Sequence, residues 1–189
     1  MISPNESTLP PTIAATFIWL VILALAGLGG SLIISCVTPF AALAIALAGT
    51  VRLTLALRAI TAIWLANQFV GFAFLHFPRT PNTFLWGVAI GGATLLSTLI
   101  ASSVLKRARF SSTATRLGLA FLLVYAIYEV SLFAVALVLG GSETFLPAII
   151  AQIGLVNLAW LAGLVALNEL FSMTCKRWLG AIPRLAKVS

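Results

Sequence analysis

One of the four acidic residues in the chain, Glu129, lies in the middle of a long apolar run. A charged side chain at the centre of a bilayer costs roughly 2.5–3.5 kcal/mol on insertion scales, so Glu129 is expected to face the protein interior or a cavity, protonated or hydrogen-bonded. Tyr125 lies one turn earlier on the same face, whereas Tyr128 points about 100° away on an ideal helix. Two roles stay open for this carboxyl: ligand binding, or a structural hydrogen bond to an amide of another helix, for which the candidates are Asn67, Gln68 and Asn157.

A second group of polar or reactive side chains falls near one end of the first four apolar runs. Its members are Cys36, His76, Arg79, Asn82 and Trp86. His76 is the only histidine, and it is either an interfacial residue or a ligand. Cys36 is either a small apolar filler or, as a thiolate, a ligand for a soft metal centre that enters from outside.

The sequence lacks the motifs of common enzymes. It contains no HExxH, GxSxG or P-loop pattern and no aspartate, and its two cysteines form no CxxC pair. A single histidine cannot supply the paired ligands of a b-type haem carrier, and four carboxylates are too few for a two-metal site. A hydrolytic or redox enzyme is therefore disfavoured, and active transport would need a partner or an ion gradient.

The composition is that of a membrane protein. Of 189 residues, 61% are hydrophobic and 8% are charged, whereas a soluble domain carries about a quarter charged residues. The net charge of +7 does not indicate a nucleic-acid partner, because the bases lie in short tracts beside apolar runs. We therefore predict a single all-α integral membrane domain over residues 1–189, whose first apolar run is a retained helix and not a signal peptide.

The apolar runs predict six transmembrane helices. They cover residues 13–35, 39–57, 59–77, 84–105, 117–139 and 147–171, and a basic tail follows over 172–189. With six spans, all the bases except Arg79 fall on the same side of the membrane. By the positive-inside rule, both termini are then cytoplasmic and Cys36 lies on the outer side of a bacterial inner membrane.

Small residues recur four positions apart in several of these helices, for example Ala42 and Ala46 in the second and Gly87 and Gly91 in the fourth. This spacing lets helix backbones approach closely. It has two interpretations: packing within the bundle, or a docking surface for another membrane subunit.

This layout resembles that of the substrate-binding S components of energy-coupling-factor vitamin transporters. The stretches CVTPFAALA, from Cys36, and WLANQFVGF, from Trp64, are most similar to the cobalamin-specific, BtuM-like family. The resemblance implies that a vitamin enters from the periplasm into the outer half of the bundle and that the protein topples to release it inside. It also implies that Cys36 ligates the cobalt of cobalamin, and that a transmembrane T subunit with two ATPases docks on the first two spans.

Three functions remain open at this point. The first is a vitamin-binding S component, without a cofactor of its own, whose pocket contains aromatic area and a few amides. Besides Cys36, His76 and Glu129, the candidate pocket residues are Trp64, Asn67, Gln68, Phe72, Arg79, Asn82, Trp86 and Tyr125. The second is a proton-linked carrier or membrane enzyme built around Glu129. The third is a non-catalytic assembly subunit, which rests on the small-residue faces alone.

Overall fold

A computed structural model describes residues 13–33, 38–107 and 112–179, which are almost entirely helical. The helices are α1 (Ile13–Ile33), α2 (Phe40–Thr50), α3 (Leu53–Ala73), α4 (Pro81–Arg107), α5 (Thr113–Leu139) and α6 (Pro147–Leu179). A short 3-10 helix, Ser142–Thr144, lies between α5 and α6. Cys36 falls outside the described residues, as do both termini.

Five of the described helices, all except α2, are long and apolar enough to cross a membrane. Their outer faces carry many large, exposed apolar side chains, such as Phe69, Val88, Leu122, Val130 and Leu155. A water-soluble surface does not leave apolar side chains exposed at this density, whereas lipid covers them without cost. The fold is thus consistent with a multi-pass helical membrane bundle.

Helix α2 forms the centre of the bundle. Its 11 residues are buried from Phe40 to Gly49, and it packs against each of the other five α-helices. At 1.5 Å per residue it is about 16 Å long, roughly half the thickness of the hydrocarbon core. Five of its 11 residues are alanine, which keeps α2 thin, so the longer helices can surround it closely.

The boundary between α2 and α3 differs from the prediction. The second span was expected to reach residue 57, with Arg58 in the turn, but α2 ends at Thr50 and α3 begins at Leu53. Val51 and Arg52 are extended, with φ/ψ of −130°/167° and −62°/145°. Gly49 and the β-branched pair that follows it are poor helix formers, which accounts for the early end. Arg58 is an exposed residue within α3.

Other helix ends also differ from the expected positions. Helix α3 ends at Ala73 instead of residue 77, and α4 begins at Pro81 instead of residue 84. Proline suits the first turn of a helix because its missing N–H has no partner there in any case. Asn82 is therefore in the first turn of α4 and not in a loop. Helix α6 continues to Leu179, into the segment expected to be a tail.

Several of the small residues face the interior of the bundle. A Cβ atom on Gly27 would lie 2.9 Å from Leu43 Cδ1, and one on Gly91 would lie 2.5 Å from Trp64 Cε2. Ala42 and Ala46 are fully buried on α2. These positions serve packing within the bundle, and the docking of another membrane subunit stays a prediction.

The two ends of the bundle carry different charges. The basic end comprises the start of α3, the end of α4 and the start of α5, with Arg52, Lys106, Arg107 and Arg116. The opposite end comprises residues 74–80 and 140–146, where Arg79 is the one lysine or arginine among the described residues. This opposite end contains the cavity described below and is called the cavity end.

Candidate functional site

A cavity of about 450 Å³ opens at the cavity end of the bundle. Its walls come from the second half of α3, the first half of α4, the middle of α5 and the first turns of α6, and the start of α2 forms its floor. The lining is mostly apolar and aromatic, with a few amides, hydroxyls and one carboxyl. This size and composition are typical of a site for a small organic ligand.

Two amides hold the floor of the cavity together. The Asn67 side chain donates a hydrogen bond of 2.8 Å from Nδ2 to Thr38 Oγ1, which ties α3 to the segment before α2. Asn157, buried on α6, accepts a bond of 3.4 Å at Oδ1 from the backbone N–H of Ala42 and donates from Nδ2 to the Ile153 carbonyl. Asn157 thereby satisfies one of the N–H groups that the first turn of a helix leaves without a partner.

The wall between α3 and α4 depends on two glycines. Gln68 lies directly against Gly87: a Cβ atom added to Gly87 would come 2.5 Å from Oε1 of Gln68. The Trp64 indole packs on Gly91, and its Nε1 donates a 3.0 Å hydrogen bond to the Gly87 carbonyl. Trp64 therefore supports the wall from behind, while Gln68 and Trp86 face the cavity.

The opposite wall carries the carboxyl. Glu129 is half-buried on α5 and lines the cavity next to the buried Tyr128. The Tyr125 hydroxyl, one turn earlier on the same helix, donates a 2.5 Å bond to the Ile150 carbonyl of α6. Gly154 leaves room for the Tyr125 ring. Tyr125, expected on the face of Glu129, is thus directed towards α6, while Tyr128, expected to point away from Glu129, shares the cavity wall with it.

The rim of the cavity is formed by two connections. Phe77 and Leu75 line it from the segment between α3 and α4, and Thr144 and Phe145 line it from the 3-10 helix. His76 has a positive φ of 53°, which turns the chain after α3. Phe145 packs edge-on against Phe133 of α5, with ring centroids 5.4 Å apart, which places the 3-10 segment over the opening.

The structure brings some of the candidate residues together and leaves others apart. Asn67, Gln68, Trp86 and Glu129 line the cavity. The other candidates do not line it: Trp64 and Tyr125 support its walls, Phe72 stacks on Phe84 at 4.8 Å between α3 and α4, and His76, Arg79 and Asn82 are exposed. These six residues do not line the cavity, and Cys36 lies outside the described part of the chain. The substrate-binding role of all the candidates stays a prediction.

Sequence reasoning missed several lining residues, notably Phe40, Phe77, Tyr128, Phe145 and Ile153. A signal existed for the aromatic ones, because they fall near the same end of successive helices in an antiparallel arrangement. The sequence does not show how deep in the bundle α2 begins, and its start at Phe40 is the floor above which the cavity lies. No group of three or more His, Cys, Asp or Glu side chains that could hold a metal occurs among residues 13–33, 38–107 and 112–179.

The chain was also compared with known proteins. No protein-family model matches it, and no curated protein or solved structure is significantly similar to it. Functional interpretation therefore rests on the residues and the geometry of the cavity.

Proposed function

We propose that this chain is a membrane-embedded substrate-binding protein that takes up a small molecule through the cavity. The observation that carries this proposal is a largely apolar cavity of about 450 Å³ at the end of the bundle opposite most of the described lysines and arginines. In a six-pass arrangement with α2 as a half-length pass, the positive-inside rule puts the basic end and both termini in the cytoplasm. The cavity then opens to the outside of a bacterial inner membrane.

The substrate class that we propose first is a corrinoid, on the resemblance of the Cys36 and Trp64 stretches to BtuM-like S components. Cys36 precedes Thr38, a lining residue, by two positions. Two residues span at most about 7 Å, so the proposal requires the cobalt to lie on the Thr38 side of the cavity. A whole corrinoid is larger than the cavity, so one side of the macrocycle would enter and the rest would stay at the rim.

Energy for uptake would come from outside this chain. An S component docks on a T subunit that is driven by two ATPases, and the buried α2 cannot provide that contact. The lipid-facing side of α1, which exposes Phe17, Val21 and Leu25, is the surface of the first two helices that remains available for docking.

The corrinoid proposal is tested by the visible absorption spectrum of the purified protein after incubation with cobalamin and gel filtration. A retained corrinoid band that is shifted from free cobalamin, and altered in Cys36→Ala, is expected. Cys175→Ala is the matched control, because Cys175 lies in α6 at the far end of the chain, and its spectrum should equal that of the parent protein. A colourless parent protein would exclude cobalamin as the substrate.

A second candidate function is a proton-linked carrier, which is favoured by one observation. Glu129 is a carboxyl on the wall of the cavity, on a helix long enough to span the membrane, and acidic residues in such positions are typical of proton relays. Substrate binding that depends on Glu129 and is indifferent to Cys36 would favour this function over the corrinoid S component.

A further inference from the structure

The charge inventory of the cavity restricts the ligands that it can hold. Glu129 is the only acidic residue in the lining, and no lysine, arginine or histidine joins it among the described residues. His76 and Arg79 lie beside the lining residue Phe77 in the sequence, but both are exposed and neither lines the cavity. An anionic ligand would find no countercharge inside, and burial of an unpaired anion is costly.

The surroundings of Glu129 favour its neutral form when the cavity is empty. The side chain is half-buried on a helix long enough to span the membrane, and no lysine, arginine or histidine of the described residues lines the cavity beside it. The Tyr125 hydroxyl, one turn earlier, donates to the Ile150 carbonyl. A phenol has a single proton to donate, so this bond leaves none with which to stabilise a Glu129 carboxylate. A neutral carboxyl is also the form that a half-buried site within a membrane helix tolerates.

The aromatic walls add a second preference. Trp86 and Tyr128 both line the cavity together with Glu129, and Phe40, Phe77 and Phe145 complete the aromatic part of its surface. The faces of aromatic rings attract cations, most strongly where water is excluded. A positively charged nitrogen could therefore pair with the carboxylate while the rings contact the rest of its surface.

We propose that the cavity selects organic cations, and that a ligand bearing a protonated amine binds by displacing the proton of Glu129. The proton leaves to water at the open mouth, and the ammonium N–H groups donate to the carboxylate that remains. The net charge in the cavity is zero before and after binding, so no uncompensated charge is buried. Proton and cation occupy the same carboxyl in turn, which would couple uptake of the one to release of the other.

Other titratable groups do not offer this exchange. Tyr125 and Tyr128 on α5 are the titratable neighbours of Glu129. Among the described lining residues, only Glu129 and Tyr128 are ionisable, and both belong to α5; α2, α3, α4 and α6 contribute none. The inference rests on the proposed ligand-binding role of the cavity and is independent of the corrinoid proposal, since a corrinoid carries no protonated amine.

The test uses three dansyl compounds of similar size that differ in charge: dansylcadaverine (cationic), its N-acetyl derivative (neutral) and dansylglycine (anionic). Binding to the purified full-length protein in lipid nanodiscs is followed by energy transfer from tryptophan, since Trp86 lines the cavity. Calorimetry in two buffers of different ionisation enthalpy counts the protons released. The variant is Glu129→Gln, which keeps the shape of the neutral carboxyl. Glu143→Gln is the matched control, an exposed acid at the same end of the bundle.

In the parent protein and in Glu143→Gln, the cation should bind at least tenfold more tightly than the anion and release about one proton. In Glu129→Gln the cation should lose about tenfold in affinity and release none, while the neutral compound binds as before. Equal binding of all three charges, a preference that survives Glu129→Gln, or binding of the cation without proton release would each overturn the cation proposal alone. Failure of all three compounds to bind the parent would instead count against the cavity as a binding site, and with it against the proposed function.

Discussion

The two ends of this bundle are built from the same long helices, but one is closely packed and the other is open around a cavity. At the basic end, α4 and α5 pack along Ala101, Leu105, Leu117, Ala120 and Val124, all buried. At the cavity end, the last three turns of α5 bury only Ala136, and the space is lined by aromatic rings instead of small residues. Close packing excludes ligands and water, so the comparison shows where the bundle is closed and where it can bind.

The difference arises from the length of α2. This helix fills the centre only from Phe40 to Thr50, and α3, α4, α5 and α6 line the space beyond its N-terminal end. Since no other described element takes its place there, the longer helices surround a cavity in place of a core. A half-length central helix thus closes the basic end of the bundle and leaves a cavity at the other end.

The largest expected effect is in cysteine labelling, which reports which end of the bundle faces the outside of the membrane. In a background in which Cys36 and Cys175 are replaced by alanine, Pro78→Cys at the cavity end should react with a membrane-impermeant maleimide on intact cells. Ser112→Cys at the basic end should react only after permeabilisation. Both positions are exposed, and Ser112 makes no side-chain capping bond. Labelling of Ser112→Cys on intact cells would place the cavity on the cytoplasmic side and overturn the uptake direction.

The next effect is the intolerance of the basic end to added volume. Ala120→Leu inserts three carbons at a fully buried position of α5, and overpacking of this kind costs about 1–3 kcal/mol. Ala126→Leu, on the exposed face of the same helix, should stay within about 0.5 kcal/mol of the parent. Thermal unfolding in a mild detergent measures both. Equal stability of the two variants would mean that the α4–α5 contact is looser than described.

Two adjacent glycines provide a smaller and sharper test at the border between the ends. Gly91→Ala puts a Cβ atom 2.5 Å from the Trp64 ring, which must shift and weaken its bond to the Gly87 carbonyl, at a cost of about 1–3 kcal/mol. Gly92→Ala meets nothing within 4 Å and should gain up to about 1 kcal/mol of helix propensity. Opposite changes in unfolding temperature are expected. A loss in both variants would show that lipid-side contacts, and not Trp64, govern this segment.

The sequence was informative about which segments lie in the membrane and less informative about which side chains of different helices contact each other. Composition and apolar runs predicted a helical membrane protein, and hydropathy located Glu129 as a polar group inside the bundle. Asn67, Gln68 and Trp86 were selected because amides and tryptophan are rare among apolar residues, and all three line the cavity. Six other candidates do not line it, for a common reason. The rotation and exact ends of each helix depend on packing against α2, and the end of α2 at Thr50 follows from weak local preferences that no periodic pattern indicates.

The smallest effect expected is at His76, where the rim of the cavity and the candidate ligand set can be separated. His76 adopts a positive φ, which glycine tolerates better than histidine, but glycine also has more freedom to lose on folding. His76→Gly should therefore stabilise the protein by less than about 1 kcal/mol. Arg79→Gly, in the same exposed segment but without a positive φ, should be slightly destabilising.

Ligand binding decides what these two variants mean for the cavity. Because neither side chain lines it, the affinity for a bound ligand should be unchanged in both, whichever substrate class proves correct. An unchanged affinity in His76→Gly together with a small gain in stability would assign His76 a role in the turn alone. A clear loss of affinity would instead show that the segment between α3 and α4 moves over the ligand, so that the rim is part of the binding site and the contrast between the two ends includes motion as well as packing.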